Sequence, residues 1–130
     1  MTSQNIVTPQ SLIQTQNGKQ FYIFSGEQTV TSVENFFINI DNIGERDIEI
    51  ALEIANANNL GSDNLTTTVY INDIVVHRDL INNTYSQNLL GFNELRLIIP
   101  ANTSLKVGLV VNANSYNYTI AGHGKYLSIE

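Results

Sequence analysis

The sequence predicts a single all-β domain, an antiparallel β-sandwich of about eight strands. In residues 47–54, polar and apolar residues alternate, which is the period that places one side of a strand in a core and the other in water. Asparagine, which favours turns and tolerates left-handed backbone conformations, occurs 18 times among the 130 residues. No window combines apolar residues at helical spacing with a capping residue, so we expect at most a helical turn near residues 85–90.

Residues 1–18 are predicted to form an N-terminal arm ahead of a β-sandwich domain of residues 19–130. The arm is polar, contains Pro9, and ends at Asn17 and Gly18, a pair that favours a turn. Its small apolar side chains would gain burial only against another surface. We therefore predict that the arm contacts a partner through two apolar pairs, Ile6 with Val7 and Leu12 with Ile13.

Eight segments of the predicted domain have strand character and are separated by residues that favour turns. They are residues 20–25, 33–40, 47–55, 66–71, 74–80, 94–99, 104–112 and 116–129. Asn72 and Asp73 predict a two-residue type I′ hairpin, because both residues accept positive φ angles. Residues 112–115 predict a second hairpin, which would join the last two strands. A β-bulge is predicted at Gly122-His123-Gly124.

The charge distribution argues against several classes of partner. The net charge is −6, and the six cationic residues are scattered singly, so there is no basic patch for nucleic acid or anionic lipid. No apolar run approaches the length of a membrane span, and the first residues lack the features of a secretory signal. We therefore expect a protein that is made in the cytoplasm and binds neither nucleic acid nor membrane.

Few residues have the spacing of a catalytic site. Asp47 and Glu49 are two positions apart in a strand, hence roughly 7 Å apart on one face, which is compatible with the carboxylate pair of a small glycosidase or lyase. Alternation places both on the solvent side, where carboxylates keep a sheet soluble. His77 and His123 have no serine, cysteine or second histidine near them in the sequence. We predict no catalytic residue, no cofactor and no enzymatic activity.

One group of oxygen donors could form a calcium site, because it lies in turn-forming segments and combines carboxylates with an amide. The group consists of Asp41, Asn42, Glu45 and Asp63. Its spacing matches no EF-hand loop, and ordinary Asx turns account for the same residues. We predict no metal site.

The aromatic residues leave carbohydrate binding open as an alternative. Sugar-binding modules use exposed planar aromatic side chains. The clustered aromatic residues of this chain are Phe21, Tyr22, Phe24, Phe36, Phe37, Tyr116 and Tyr118, and alternation assigns most of them to the core. A carbohydrate- or receptor-binding module is therefore the second hypothesis for function.

The C-terminal third of the chain carries a family resemblance. Residues 90–107 contain Ile99-Pro100-Ala101-Asn102-Thr103-Ser104-Leu105-Lys106-Val107, and an alternating strand follows at residues 116–126. This arrangement resembles the closing strands of small jelly-roll proteins from tailed phages, which decorate or cement a capsid. The resemblance covers about the last 40 residues and implies a jelly-roll-like sandwich.

The resemblance also implies a function. It predicts a virion structural protein, a capsid decoration or cement protein that binds the outer surface of a phage head. The implied partner is the major capsid protein, and the implied location is the capsid surface, after synthesis in the host cytoplasm. Long sheet edges need cover, so we also expect a homo-oligomer, a dimer or a trimer.

Overall fold

A computed structural model of the chain describes residues 13–14, 18–56, 64–82, 94–113 and 115–127. These residues form ten β-strands: β1 (Ile13–Gln14), β2 (Gln20–Phe24), β3 (Gln28–Val30), β4 (Asn35–Ile40), β5 (Ile48–Asn56), β6 (Asn64–Ile71), β7 (Ile74–Asn82), β8 (Glu94–Ile99), β9 (Leu105–Val111) and β10 (Tyr116–Tyr126). Among the described residues, no helix is long and apolar enough to cross a membrane.

The strands form two antiparallel sheets. Sheet A has the order β1-β2-β10-β5-β8, with β3 also paired to β10, and sheet B has the order β4-β9-β6-β7. The chain moves between the sheets so that early and late strands become neighbours, as in the two Greek keys of a jelly roll. The predicted all-β, jelly-roll-like sandwich is therefore confirmed.

The core lies between the sheets because each strand has one apolar side. In β5, Ile48, Ile50, Leu52 and Ile54 are buried, and in β9 the same alternation buries Leu105, Val107, Leu109 and Val111. Burying an aliphatic side chain of this size stabilises a fold by about 1.5–3 kcal/mol. These two central strands thus supply much of the apolar contact between the sheets.

The predicted hairpin at Asn72 and Asp73 is confirmed. Ile71 pairs with Ile74, and the two residues between them have φ angles of 53° and 65°. Positive φ at both central positions defines the type I′ turn, whose twist matches that of the strands on either side.

The predicted hairpin at residues 112–115 is wrong. β9 pairs with β4 and β6 in sheet B, whereas β10 pairs with β2, β3 and β5 in sheet A. The connection therefore crosses from one sheet to the other. Alternation shows which side of each strand faces the core, but two such strands can share a sheet or face each other across the core.

The predicted bulge at Gly122-His123-Gly124 is also wrong. The pairing of β10 with β2 runs without a shift from Ala121 opposite Phe24 to Lys125 opposite Gln20. Glycine is needed at positions 122 and 124 for a different reason, because a side chain there would clash with the neighbouring strand. A Cβ at Gly122 would lie 2.9 Å from Leu52 Cδ2, and a Cβ at Gly124 would collide with the carbonyl oxygen of Glu49. The register shifts occur in β4 between Phe36 and Ile38, and in β7 between Val75 and His77, which are opposite Tyr70 and Val69 of β6.

Part of the predicted arm lies in a sheet. Ile13 and Gln14 form β1, with Ile13 opposite Tyr22 in β2. The side chain of Ile13 and all of Ile6, Val7 and Leu12 lie outside the described residues, as does the helical turn expected near residues 85–90. The division into an arm and a domain at residue 18 stays a prediction.

Tyr118 generates a test of the core. The residue is 1% exposed, and its buried hydroxyl has no hydrogen-bond partner in the described part of the chain. Removing an unsatisfied buried polar group is neutral or favourable, so Tyr118→Phe should leave the free energy of unfolding unchanged or raise it by about 1 kcal/mol. Urea denaturation at pH 7 measures this change, and Tyr22→Phe is the exposed control. A loss above about 1 kcal/mol would contradict the expectation.

The same substitution should reduce alkaline destabilisation. Burial, with a smaller contribution from the nearby Tyr116, raises the pKa of Tyr118 well above its usual value. The native chain therefore keeps this proton where the unfolded chain loses it, and stability falls as the pH rises above about 10. Tyr118→Phe should lose less stability than the wild type between pH 7 and about pH 11. Equal losses in both proteins would show that Tyr118 is not the cause.

Candidate functional site

The candidate site is the outer face of sheet A, where β2, β10, β5 and β8 lie side by side. Alternate residues of these strands point away from the core and form three rows across the sheet. The rows are Phe24, Ala121, Glu53 and Glu94; then Tyr22, His123, Ala51 and Arg96; then Gln20, Lys125, Glu49 and Ile98. The register of four strands thus brings together residues that are up to about a hundred positions apart.

Two aromatic side chains stand exposed at one side of this face. Tyr22 is 47% exposed and Phe24 is 52% exposed, while Phe21 and Ile23 between them are buried. The two ring planes are within 9° of parallel, and their centroids are 6.2 Å apart. The expectation that most aromatic residues are core residues holds for Phe21, but not for this pair.

A shallow depression lies beside the aromatic pair. It has a volume of about 270 Å³, and the small side chain of Ala51 is part of its lining. Its polar lining contains the carboxylate of Glu49 and the potential donors Gln20, Arg96, His123 and Lys125. Hydrogen-bond donors and acceptors are therefore both available within one small volume.

Two of the carboxylates on this face have a cationic partner, whereas the third lies opposite another carboxylate. Lys125 Nζ lies 3.7 Å from Glu49 Oε1, and Arg96 Nη2 lies 3.4 Å from Glu94 Oε2. All four side chains are well exposed, so each pair stabilises the fold by less than about 1 kcal/mol. Glu53, in contrast, lies directly opposite Glu94, and like charges in this position destabilise a sheet.

One group on this face could hold a divalent cation. Glu53, Glu94 and His123 each offer a ligand atom, and these atoms lie within 4.8 Å of one another. Carboxylate and imidazole ligands suit zinc or manganese. Glu94 and His123 are exposed, Glu53 is partly buried, and Glu94 already pairs with Arg96, so water and the Arg96 guanidinium compete with a metal ion for the Glu94 oxygens. Sequence spacing could not reveal the group, because only the strand register brings His123 close to the two carboxylates.

The two carboxylates considered for a glycosidase have separate partners. Asp47 Oδ1 accepts a hydrogen bond of 2.7 Å from the backbone N–H of Ala101, and Glu49 pairs with Lys125. The first carboxylate therefore holds the turn before β9, whereas the second lies at the depression on sheet A. The predicted absence of enzymatic activity stays a prediction.

The residues considered for calcium form a turn. Asn42 Oδ1 accepts a hydrogen bond of 2.8 Å from the backbone N–H of Gly44, which is the Asx arrangement. Asp41 and Glu45 are exposed, and Asp63 lies outside the described residues.

His77 lies on β7, the strand at one end of sheet B. His77 is opposite Val69, and Asp79 is opposite Thr67, so both side chains are directed toward the space between the sheets. They line a narrow cavity of about 20 Å³ together with Leu95 of sheet A. The buried hydroxyl of Thr67 has no hydrogen-bond partner in the part of the chain that the structure describes.

The exposed side chains of this edge strand are largely apolar. β7 carries four exposed apolar side chains, Ile74, Val75, Val76 and Leu80, which are 43–65% exposed. In the described residues, β7 pairs only with β6. We call these four residues the β7 surface. The run Ile74-Val75-Val76 does not alternate with polar residues, and this is the signal that could have identified the surface from the sequence.

The outer face of sheet B also contains a polar contact across β9. The Tyr70 hydroxyl lies 3.1 and 3.0 Å from the two carboxylate oxygens of Glu34. Burial, followed by the hydrogen bond and charge of Glu34, raises the pKa of Tyr70. Glu34 lies over Gly108, and a Cβ at that position would collide with the Glu34 side chain. The segment before β4 is thereby tied to β6.

The comparisons with known proteins identify the fold. Among solved structures, the chain is similar to the one described as the crystal structure of infectious bursal disease virus VP2 subviral particle, with a TM-score of 0.54 and 13% sequence identity. The match covers 82% of this chain and 32% of the VP2 chain, so the chain spans about a third of that protein. No protein-family model matches the chain, and no curated protein matches it either. The likeness supports the fold, a jelly-roll-like β-sandwich, in agreement with the two antiparallel sheets.

The uneven charge pairing on sheet A generates a test. Glu53→Gln should raise the free energy of unfolding by about 0.2–0.5 kcal/mol, because it removes the repulsion from Glu94. Glu49→Gln is the matched control on the same strand, and it should leave stability unchanged or lower it slightly, because it removes the attraction of Lys125. Urea denaturation at low salt and at about 1 M salt measures both changes, which should shrink as salt screens the charges. If both substitutions changed the free energy of unfolding in the same direction, this description of the face would be wrong.

Proposed function

We propose that this protein is a virion structural protein, and specifically a decoration or cement protein on the outer surface of a phage head. The observation that carries the proposal is the jelly-roll sandwich, which the chain shares with the viral capsid protein VP2. The likeness of residues 90–107 and 116–126 to small jelly-roll phage proteins supports the finer assignment. In this role the protein works by adhesion and has no catalytic turnover.

The β7 surface suits adhesion to a protein partner. On the outward side of the strand, Val75 and Leu80 are opposite Tyr70 and Thr66, and a partner can cover them there on either side of Arg78. His77 and Asp79 point inward on the same strand, and inward polar residues discourage indiscriminate pairing of an edge. Contact through the outward side chains is therefore favoured over the addition of a further strand.

The N-terminal residues offer a second contact. Ile6, Val7, Leu12 and Ile13 remain the proposed arm contacts, and Ile13 belongs to β1, which pairs with β2 at one end of sheet A. β1 and β7 belong to different sheets, and each lies at one end of its sheet order. The proposed partners are the major capsid protein and further copies of this chain, as a dimer or a trimer, with neither nucleic acid nor membrane involved.

Truncation of the arm tests the proposal. A variant that lacks residues 1–12 keeps β1 and should retain the midpoint of thermal unfolding, because the two sheets are intact. It should co-sediment more weakly than the full chain with capsids of the parent phage, because apolar contacts of the arm are lost. Analytical ultracentrifugation of both forms tests self-association in the same preparation.

Substitution of the β7 surface tests the second contact. Val76→Lys and Leu80→Lys should weaken co-sedimentation, because burying a lysine ammonium at an apolar contact is costly. Val33→Lys is the matched control, since Val33 is 71% exposed and lies outside the β7 surface. Undiminished capsid binding by the truncated chain and by both lysine variants, or the absence of the protein from purified particles by mass spectrometry, would contradict the proposal.

A further inference from the structure

We propose that the outer face of sheet A binds a neutral glycan, with Tyr22 and Phe24 as the stacking platform and the depression over Ala51 as the polar part of the site. This function goes beyond attachment to a capsid, and it uses a surface separate from the β7 surface. It stands on the geometry of sheet A alone.

The aromatic pair supplies the apolar part of the site. Tyr22 and Phe24 are each about half exposed, and their rings lie within 9° of parallel on one strand. A pyranose ring has a C–H face that packs on an aromatic face, and the phenol group of tyrosine adds a polar end. Two large aromatic side chains exposed next to each other present apolar surface to water, which is unfavourable. A ligand stacked on the rings would cover this surface.

The depression supplies directional polar groups next to this platform. Tyr22 is directly opposite His123, and His123 is directly opposite Ala51, so one row of the sheet leads from the ring to the floor of the depression. Its volume of about 270 Å³ is below the range of about 300–1,000 Å³ for drug-sized ligands, and this suits a single sugar unit. Arg96 and Glu49 provide a donor and an acceptor at this point.

The charges favour a neutral ligand. The fixed charges of the face are the carboxylates of Glu49, Glu53 and Glu94 against the cations Arg96 and Lys125, which leaves no cationic surplus. A sialylated or sulfated glycan would meet these carboxylates and a chain of net charge −6. A hydroxyl group both donates and accepts, so a neutral sugar can bond to either kind of group on this face.

Small side chains keep the face open to a ring. Ala121 lies between Phe24 and Glu53, and Ala51 lies between His123 and Arg96. Larger residues at these two positions would fill the space beside the platform. Ala51 is only 2% exposed, so the polar side chains around it form the accessible part of the depression, and the face is not a flat apolar patch that fits a protein.

The test is a nuclear magnetic resonance titration of the full chain. The ¹⁵N-labelled protein is titrated with the methyl glycosides of glucose, galactose, mannose and N-acetylglucosamine, and with N-acetylneuraminic acid as the acidic comparator. At least one neutral glycoside should produce saturable shifts of the amide signals of Tyr22, Phe24, Ala51 and His123. No saturable shift at these residues with any neutral glycoside, or saturation by N-acetylneuraminic acid alone, overturns the proposal.

Variants separate the site from nonspecific contact. Tyr22→Ala and Phe24→Ala should each weaken binding by about tenfold, while Tyr22→Phe should retain most of it. Leu80→Ala is the matched control, an exposed apolar truncation on sheet B that should leave binding unchanged. If either aromatic variant fails to fold, Arg96→Ala provides the test, because its side chain is 62% exposed and lines the depression. Binding that survives the folded variants at wild-type strength overturns the proposal.

Discussion

The structure depends on the pairing of β10 with its neighbours. This strand of 11 residues pairs with β5 along one side and with β2 and β3 along the other, so it holds most of sheet A together. Gly122 and Gly124 make the close approach of β5 feasible, since a side chain at either position would meet Leu52 or the backbone of Glu49. A shift of one residue would turn every side chain of β10 to the opposite face, so the buried Tyr118 and Ile120 fix the register.

The outer face of sheet A follows from that register. His123 lies between Tyr22 and Ala51 because the strand cannot slip, and Glu53 faces Glu94 for the same reason. The core thus positions surface groups that have no direct contact with it. A face built in this way is held by a sheet rather than by loops, which keeps its side chains in constant relative positions.

The sequence was sufficient for the features that depend on local chemistry. The alternation of β5 predicts its buried side correctly, and the tolerance of Asn72 and Asp73 for positive φ predicts the hairpin. The strands β1 and β3 were missed because two or three residues cannot establish a period. In β2, aromatic or aliphatic residues occupy both sides, so alternation alone could not show that Phe21 is buried and Tyr22 exposed.

Features that depend on tertiary pairing could not be predicted. The hairpin expected after β9 is absent because an apolar strand side fits equally well beside its neighbour or across the core. The grouping of Glu53, Glu94 and His123 involves residues on three strands, and no spacing along the chain indicates it. The β7 surface, in contrast, has a local signal, because the run Ile74-Val75-Val76 contains no polar residue.

The contact of Glu34 with Gly108 and Tyr70 has an evolutionary consequence. The carboxylate occupies the space above Gly108, where a side chain would displace it, and it reaches the Tyr70 hydroxyl on the next strand. Divergent sequences of this fold should therefore change these three positions together. A relative with a side chain at position 108 should have a shorter residue at position 34. The hydroxyl at position 70 would then have no carboxylate to bond, and phenylalanine could replace tyrosine there.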